Sequence, residues 1–433
     1  MRRREFLRVA GLSSAVGLGV HLMPQWARSA VSVGDRVRIG IIGPGGRARG
    51  LMLDAPESIL VVALADCDTR QLDSFDTWIQ DARPDLVEGP LRKYQDYAEL
   101  LAKEKLDGVI VATTTHARAL ICIHAMQAGL DVYAEKPLAL TIEEGQYLIR
   151  AEKKYRSILQ VGTQQRSIPI NNFASDLVLN GKLGKIQTVH CTNFLSSEFG
   201  RPSTEAPVPK EMNWDAWCHQ TELVPFSPDL HPGLGLWGRW RPYDGGGLVY
   251  GVTGWGTHAF DQVQRALGTD DVVPVEVWPT GEGMDSPVTM RYANGITIET
   301  ILPRDDSSPG LGAVFHGENG NIYLNRNQLV CDPPELREGA PIPDTDDAWA
   351  SVSKRHIQNW CDSIRTRKPT RTGAVIGHHS TMICILMNIC RELGRKITWD
   401  PEKEQFVDDP EANAQISRPR RKGYELPAEL AKG

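Results

Sequence analysis

From residue 37 onward, short apolar runs alternate with segments of helical periodicity. The runs at 37–42, 59–65 and 107–112 are rich in Val, Ile and Ala, as expected of strands buried on both faces of a parallel sheet. Strands that alternate with helices in this way predict a doubly wound α/β domain. The same pattern predicts strands at 130–134 and 158–161, and helices from about 67 to 82, at 97–105, at 117–128 and at 142–155.

Beyond residue 186 the pattern favours paired strands with alternating polar and apolar positions. Two Asn-Gly pairs, at 294–295 and 319–320, each separate two such segments, which is a strong signal for a tight hairpin between antiparallel strands. With 433 residues, the chain is long enough for a second domain with its own core. The pattern there predicts strands at 186–194, 273–278, 288–292, 296–302 and within 313–326, and helices at 171–179, 257–267, 356–367 and 378–393.

The first apolar run ends in a glycine-rich turn. Gly43, Gly45 and Ala48 fit the pattern G-x-G-x-x-[GA], in which the first two glycines allow a tight turn and a close approach to a pyrophosphate. The helix that follows would direct its first N–H groups, beginning at Gly46 and Arg47, toward the phosphates. Because glycine turns after strands are common, an ordinary turn remains an alternative for this motif alone.

The second apolar run ends in Asp66. At this distance from the glycine turn, a carboxylate would accept hydrogen bonds from a ribose and repel a 2′-phosphate, so it favours NAD over NADP. The alternative is that Asp66 only caps a loop.

Small polar and charged residues follow the next two strands. Thr113, Thr114 and His116 come after the third strand, and Glu135-Lys136 comes after the fourth. These residues fall at the carboxyl edge of the predicted sheet, where doubly wound proteins bind their ligands.

Two further motifs complete the set: Gly-Thr-Gln-Gln-Arg at 162–166 and Gly-Thr-His-Ala-Phe-Asp at 256–261. Together with the glycine turn, Asp66 and Glu135-Lys136-Pro137, they resemble the glucose-fructose oxidoreductase/inositol dehydrogenase/MocA family. The resemblance implies an N-terminal Rossmann dinucleotide-binding domain at 31–160. It also implies a C-terminal α/β domain at 161–433, built on a large, mostly antiparallel open sheet, and assembly as a homodimer or homotetramer.

The resemblance also implies the reacting groups. Lys136 would donate a hydrogen bond to the reacting oxygen, His258 would accept the hydroxyl proton, and Asp261, one helical turn on, would orient the imidazole. The implied cofactor-binding residues are Gly43, Gly45, Gly46, Arg47, Asp66, Thr113, Thr114, His116, Glu135, Lys136 and Gln164. The candidate substrate-binding residues are Arg166, Trp240, Arg241 and His258, and no metal-ligand spacing is visible.

Two positions depart from the family pattern. Gly254 stands where relatives often have a first Asp that assists the histidine, and Arg118 lies in a segment where relatives commonly have Pro-Asp and a second His. The missing carboxylate puts simple alcohol dehydrogenation in doubt, and we expect Arg118 to alter what the pocket accepts.

Three functions therefore stay open. The first is an NAD-dependent oxidoreductase that takes a hydride from a secondary hydroxyl of a sugar, polyol or glycoside. The second is an NAD-dependent glycosidase that oxidises C3 transiently and eliminates the aglycone, without net redox change. The third is a sugar- or nucleotide-binding protein without catalysis. Trp and His side chains in the irregular stretch before about residue 247 suit sugar rings, although packing of the loop explains them equally well.

The leader differs in composition from the rest of the chain. Residues 1–30 carry Arg3-Arg4 and then a mildly apolar segment with Gly and Ser, which resembles a twin-arginine export signal and predicts a periplasmic protein. An uncleaved anchor or a basic tail is the alternative. Because the chain has a net charge of −6 in spite of this basic leader, the composition argues against a nucleic-acid partner.

The remaining sequence is typical of a globular protein. No segment after residue 30 is long and apolar enough to span a membrane. The eight cysteines are scattered without C-x-x-C spacing, so we interpret them mainly as small buried residues, with one or two disulfides conceivable after export.

Overall fold

The computed structural model describes residues 36–196, 204–230, 243–244, 251–302, 309–343 and 350–431. Its first sheet has six parallel strands in the order β3-β2-β1-β4-β5-β6, which confirms the doubly wound Rossmann domain. The strands are β1 Val37–Ile42, β2 Ile59–Ala65, β3 Arg92–Tyr94, β4 Gly108–Val111, β5 Asp131–Ala134 and β6 Leu159–Val161.

Helices connect these strands, and short polar side chains begin several of them. Asp68, Asp96 and Thr141 each accept a hydrogen bond from a backbone N–H of the first helical turn, which satisfies donors that have no partner inside the helix. The helices are α1 Gly46–Leu53, α2 Thr69–Ala82, α3 Tyr97–Lys103, α4 Thr115–Gln127 and α5 Ile142–Tyr155.

The second sheet has nine strands in the order β13-β12-β11-β7-β10-β9-β8-β14-β15. Only β7 and β10 pair in parallel within this sheet as described, so the mostly antiparallel sheet is confirmed. The strands are β7 Ile186–Thr192, β8 Glu276–Pro279, β9 Val288–Arg291, β10 Thr297–Ile301, β11 Ala313–Gly317, β12 Gly320–Asn325, β13 Gln328–Asp332, β14 Ile397–Asp400 and β15 Gln405–Phe406.

One face of the second sheet is covered by helices. Their apolar side chains, such as Ala174, Phe260 and Ile383, share one buried cluster with the strands. The helices of this half are α6 Pro169–Leu179, α7 Trp214–Cys218, α8 Thr257–Leu267, α9 Ala350–Thr366, α10 Ala374–Leu393 and α11 Pro410–Asn413.

Helix α9 belongs to the second half of the chain but packs against the first sheet. Trp360 is fully buried with the side chains of β1 and lies 5.9 Å from Tyr133, measured between ring centroids. A Cβ placed on Gly108 would lie 2.9 Å from the Trp360 ring, so the close packing requires glycine there. The domain boundary at residue 160 stays a prediction, and the packing of α9 shows that the two halves share a core.

The C-terminal segment contacts both halves of the chain. Arg420 pairs with Glu144 on α5, Arg421 Nη1 lies 2.6 Å from Asp215 Oδ1, and Leu430 is buried. Helices in the described ranges all fall short of the length and hydropathy that a membrane span requires.

Candidate functional site

The glycine turn leaves open space at the start of α1. Gly43 has φ +83°, and a Cβ there would lie 2.8 Å from the backbone nitrogen of Thr113, so the turn requires glycine. A Cβ at Gly45 or Gly46 meets no described atom within 4 Å. The N–H groups of α1 therefore border a gap that can hold a pyrophosphate.

This contrast predicts different results for two alanine variants. Gly43→Ala is expected to destabilise the fold, because the left-handed conformation costs about 1–2 kcal/mol and the new methyl group meets the backbone. Gly45→Ala is expected to leave the free energy of unfolding within about 0.5 kcal/mol of wild type and to weaken NAD binding at least about tenfold. Chemical denaturation and titration with NAD measure the two effects, and unchanged NAD affinity in Gly45→Ala would remove the glycine turn from the binding site.

Asp66 directly follows β2 and is partly used as a cap. Its Oδ1 accepts a hydrogen bond from the Asp68 N–H at 2.9 Å, so the loop-capping alternative holds for this oxygen. Burial raises the pKa of the Asp66 carboxyl to about 6. At neutral pH the group is therefore charged and can bind ribose hydroxyls, whereas in mild acid it loses its charge.

Glu135 connects the glycine turn to the ends of β5 and β6. Its Oε1 lies 2.8 Å from Arg47 Nε and 3.2 Å from Gln164 Nε2. Its Oε2 accepts from the backbone N–H of Lys136 at 3.2 Å, and Gln164 Nε2 also donates to Tyr133 Oη at 3.0 Å. The structure thus brings four predicted cofactor-site residues together around one carboxylate.

Lys136 is held at the end of β5 in a mostly buried position. Burial lowers the pKa of its ammonium group to about 8, although the negative charges of Glu135 and Asp244 oppose this effect. The charges of Arg47 and Arg118 lower the pKa further. Near neutral pH, Lys136 is thus a proton donor that releases its proton much more easily than a solvated lysine does.

His258 is the second residue of α8 and only 5% exposed. Burial and the charges of Arg326, Lys136 and Arg47 hold the pKa of its imidazole well below the usual value. Among the described residues, none forms a hydrogen bond with its Nδ1. His258 is therefore a neutral imidazole with a buried ring nitrogen available as an acceptor.

The backbone before His258 forms a π-helical turn, Val252–Gly256, a local structure frequently found at functional sites. Gly254 lies buried within this turn. Because glycine has no side chain, this position offers no carboxylate to His258.

The expected pairing of Asp261 with His258 is wrong. Asp261 is fully buried, and its carboxylate accepts from Arg166 Nε and from Ser380 Oγ, each at 2.8 Å. These contacts point the carboxylate toward α10 and the segment before α6. Asp261 therefore holds Arg166 in position and does not orient the imidazole of His258.

The same contacts correct the prediction that Arg166 binds substrate. Its guanidinium donates to Asp261 and also forms two hydrogen bonds with Asp270, at 2.7 and 2.9 Å. Only 4% of the side chain is exposed. Because its donors are already committed to carboxylates, Arg166 is a structural ion-pair residue.

Two residues after β4 make contacts that the sequence did not predict. His116 is fully buried between Trp217 and Tyr243, its Nε2 lies 2.7 Å from the Trp217 carbonyl, and burial lowers its pKa to about 4. It is thus inaccessible to a cofactor, which corrects that prediction. Arg118 donates to the carbonyls of Pro137 and Thr113, so it ties two strand ends together, and its effect on what the pocket accepts stays a prediction.

Thr113 and Thr114 remain at the carboxyl edge of the sheet. Thr113 Oγ1 is buried without a hydrogen-bond partner in the described part of the chain, and Thr114 is the residue before α4. The unpartnered hydroxyl, the gap at Gly45 and the carboxylate of Asp66 fit a bound dinucleotide.

The aromatic residues of the irregular stretch form a core of their own. Trp214 and Trp217 stack at 4.5 Å between ring centroids and are at most 6% exposed, so these two rings are not available to a sugar. Trp240 and Arg241 lie outside the described residues.

Sequence reasoning missed two charged residues near Lys136 and His258. Asp244 is fully buried and its charge acts on Lys136, and Arg326 lies in the turn between β12 and β13, from which its charge acts on His258. Neither belongs to a recognisable motif. Asn327 has a positive φ of +57°, as residues of tight hairpin turns do. An Arg-Asn pair predicts such a turn only weakly, so the sequence did not indicate the position of Arg326.

The thiols and potential metal ligands form no further centre in the described residues. All eight cysteines are free, and seven of them are buried. Groups of three or more His, Cys, Asp or Glu suited to a metal ion do not occur among the described positions.

Comparison with protein-family models gives two adjacent matches. Residues 37–163 match the NAD-binding Rossmann fold of an oxidoreductase family, and residues 188–426 match the C-terminal alpha/beta domain of the same family. The second match alone covers more than half of the chain.

Individual relatives are more distant. The rhizopine catabolism protein MocA of Rhizobium meliloti is 26% identical over 36% of this chain and 46% of its own length. A glycosyl hydrolase family 109 protein of Shewanella pealeana is 32% identical over 33% of this chain and 35% of its own length. This chain therefore spans less than half the length of either relative.

A solved structure shares the fold over most of the chain. The WlbA dehydrogenase of Bordetella pertussis, crystallised with NADH and UDP-GlcNAcA, superimposes with a TM-score of 0.60 at 16% identity. The superposition covers 84% of this chain and 98% of that one.

Proposed function

The chain belongs to the Gfo/Idh/MocA oxidoreductase family, and from this premise we propose that it transfers a hydride between NAD and a secondary hydroxyl of a sugar, polyol or glycoside. The observation that carries the proposal is Lys136. It lies at the end of β5 beside the Glu135–Arg47 ion pair, and burial lowers its pKa to about 8. A buried lysine with an easily released proton at a cofactor site is typical of acid–base catalysis.

Different described residues would contact different parts of NAD. The N–H groups at the start of α1 would hold the pyrophosphate beside Gly45, and Asp66 would accept hydrogen bonds from the adenosine ribose. Glu135, which is held by Arg47 and Gln164, fixes the backbone at Lys136. NAD, when bound, supplies the hydride acceptor.

The proton steps belong to two side chains. Lys136 Nζ donates a hydrogen bond to the substrate oxygen and stabilises the negative charge that develops there. The imidazole of His258, which its depressed pKa keeps neutral, accepts the hydroxyl proton. Because His258 is already neutral near pH 7, no prior deprotonation is needed.

The function is tested on protein purified without added nucleotide. Mass analysis after denaturation identifies any bound cofactor, and reduced-nicotinamide absorbance follows the titration with sugars and polyols. We expect NAD to be bound and to be reduced by one sugar class. Failure both to contain and to bind NAD would overturn the proposal.

The pKa values predict an unusual pH profile. With NAD saturating, kcat is expected to stay level from about pH 5.5 to 7.5, because His258, with its pKa well below 6.5, remains neutral throughout. Above that range kcat falls, since Lys136, with a pKa of about 8, loses the positive charge that stabilises the substrate oxygen. Initial rates between pH 5 and 10 test this expectation, and an acidic limb centred near pH 6.5 would contradict it.

The glycosidase reaction is the second candidate, and the similarity to a glycosyl hydrolase family 109 protein favours it. In that case 4-nitrophenyl glycosides release nitrophenol without net reduction of NAD, and solvent deuterium enters the product at C2. Net reduction of NAD without aglycone release separates the oxidoreductase from this alternative.

Export and assembly complete the proposal. The leader supports export by the twin-arginine route to the periplasm after folding with NAD, and the family supports a homodimer or homotetramer. Export is tested by determining the N-terminal sequence of protein isolated from the periplasm. The oligomeric state is tested by measuring the molar mass of the purified protein by light scattering.

A further inference from the structure

A segment that follows β7 along the chain crosses the carboxyl edge of the first sheet. One end of this strap, residues 209–221, runs alongside the residues that follow β2. The backbone N–H of Thr69 donates to the Glu211 carbonyl at 3.0 Å. The N–H of Asn213 donates to the Cys67 carbonyl at 2.8 Å. These hydrogen bonds enclose one antiparallel β-bridge, so the strap is fixed to the sheet directly after the predicted ribose-binding carboxylate.

The other end of the strap is fixed to the segment that follows β4. The Nε2 atom of His116 lies 2.7 Å from the Trp217 carbonyl oxygen, and Gln220 Nε2 donates to the His116 carbonyl. The same amide group of Gln220 lies 3.2 Å from Glu144 Oε1 on α5. The strap therefore has one anchor beside β2 and a second beside β4.

These two anchors lie on opposite sides of β1. In the strand order of the first sheet, β2 and β4 are the two neighbours of β1. A doubly wound sheet binds its dinucleotide at the carboxyl ends of the strands, in the crevice where the strand order reverses, which here is between β1 and β4. A segment fixed beside both β2 and β4 therefore crosses this crevice, which the glycine turn after β1 borders.

The C-terminal segment holds the strap in this position. Arg421 Nη1 lies 2.6 Å from Asp215 Oδ1, and Arg421 Nε donates to the His219 carbonyl at 2.8 Å. The backbone N–H of Arg421 donates to the Gln220 carbonyl at 3.0 Å, and the rings of Tyr424 and His219 lie 4.5 Å apart between centroids. Arg421 thus contacts both ends of α7, the short helix within the strap.

The strap is built to detach from the sheet as a unit. Its apolar side chains belong to a cluster distinct from those of the two sheets: Met212, Trp214, Trp217 and Cys218. In the described part of the first domain, Cys67 is the apolar residue that packs against this cluster. Attachment mainly through hydrogen bonds, with few shared apolar contacts, is typical of a segment that opens locally while the rest of the fold stays intact.

We propose that the strap retains the dinucleotide, closing the crevice over the adenosine half of bound NAD, and that Arg421 is the latch that keeps it closed. The inference deepens the proposed function and rests on it for the identity of the ligand. Bound NAD leaves only after one anchor of the strap has opened, so every lost contact raises the open fraction and with it the rate of release. Such retention suits a protein that takes up its cofactor before export.

The first test measures cofactor release on the full-length protein, without any substrate. Protein loaded with NADH is mixed with excess NAD, and the decay of the fluorescence of bound NADH gives the dissociation rate. Arg421→Ala removes the side-chain contacts with Asp215 and His219 and is expected to raise this rate about tenfold or more. Arg395→Ala is the matched control, because Arg395 pairs with two carboxylates at α11, and it should release NADH at the wild-type rate.

The second test follows the strap itself by hydrogen exchange. The N–H groups of Thr69 and Asn213 donate across the contact between strap and sheet, so they exchange when the strap opens. Because binding and closure are linked, NAD is expected to slow the exchange of peptides that contain these residues. In Arg421→Ala the same peptides are expected to exchange faster than in wild type.

The two measurements together decide the inference. Faster exchange of the strap in Arg421→Ala with an unchanged rate of NADH release overturns it. If exchange is unchanged too, or if the variant folds poorly, Gln220→Ala, which loses the hydrogen bonds to His116 and Glu144, is the deciding variant, and an unchanged release rate in it overturns the inference equally. Faster release from a protein that transfers no hydride supports the strap and rejects the proposed function, whereas a complete lack of NAD binding rejects both.

Discussion

Lys136→Ala is expected to lower kcat by about 10³-fold while NAD remains bound. The variant removes the hydrogen bond to the reacting oxygen, and loss of such a charge-stabilising donor in a water-excluded site costs about 10²- to 10³-fold. Glu135 keeps its contacts with Arg47 and Gln164, so the cofactor site is expected to stay intact.

The measurement combines turnover with cofactor content. Single-turnover reduction of bound NAD gives the chemical rate, and mass analysis gives the NAD content of the same sample. Lys103→Ala on α3, which alters a half-exposed lysine paired with Glu99, is the control and should retain full activity. Wild-type turnover in Lys136→Ala would remove Lys136 from the mechanism.

Arg166→Ala is expected to lower the free energy of unfolding by about 3–5 kcal/mol, because it leaves the carboxylate of Asp261 buried without its ion-pair partner. Asp261 is fully buried and Arg166 is 4% exposed, so water cannot replace the lost contacts. The double variant Arg166→Leu with Asp261→Leu removes both charges and is expected to be less destabilised than Arg166→Ala.

Chemical denaturation followed by tryptophan fluorescence compares these variants. Arg265→Ala provides the control, since Arg265 pairs with Asp176 where both side chains are partly exposed, and its effect should stay below about 1 kcal/mol. If Arg166→Ala instead raised KM and left stability unchanged, the original assignment of Arg166 to the substrate would be restored.

The sequence predicted most of the fold, because the strongest signals came from long periodic segments. The helices predicted from about 67 to 82, at 142–155 and at 257–267 end at the residues where the structure ends them. Four strands were missed. β3 and β15 contain no apolar run of the kind that predicted the equally short β6, β14 has only four residues that alternate between buried and half-buried positions, and β13 follows a turn without Asn-Gly.

The site was predicted less completely than the fold. Motifs at strand ends predicted that Gly43, Glu135 and Gln164 follow β1, β5 and β6, as they do in the structure, whereas their contact with a cofactor stays a prediction. Arg166 and Asp261 were misassigned because sequence spacing shows which residues share a helix face but not which distant partner satisfies a buried charge. The charge of Asp244 acts on Lys136 from a segment far away in sequence, and only the tertiary structure reveals such an effect.

The packing of α9 beneath the first sheet has a consequence for synthesis. A chain released at residue 163 would contain every strand of the dinucleotide domain and yet expose the surface that Trp360 and Ile357 cover. The N-terminal half is therefore expected to be aggregation-prone when expressed alone. On the ribosome, this side of the sheet is covered by α1 and α2 alone until roughly the last fifth of the chain emerges, so the domain cannot complete its core before synthesis is nearly finished.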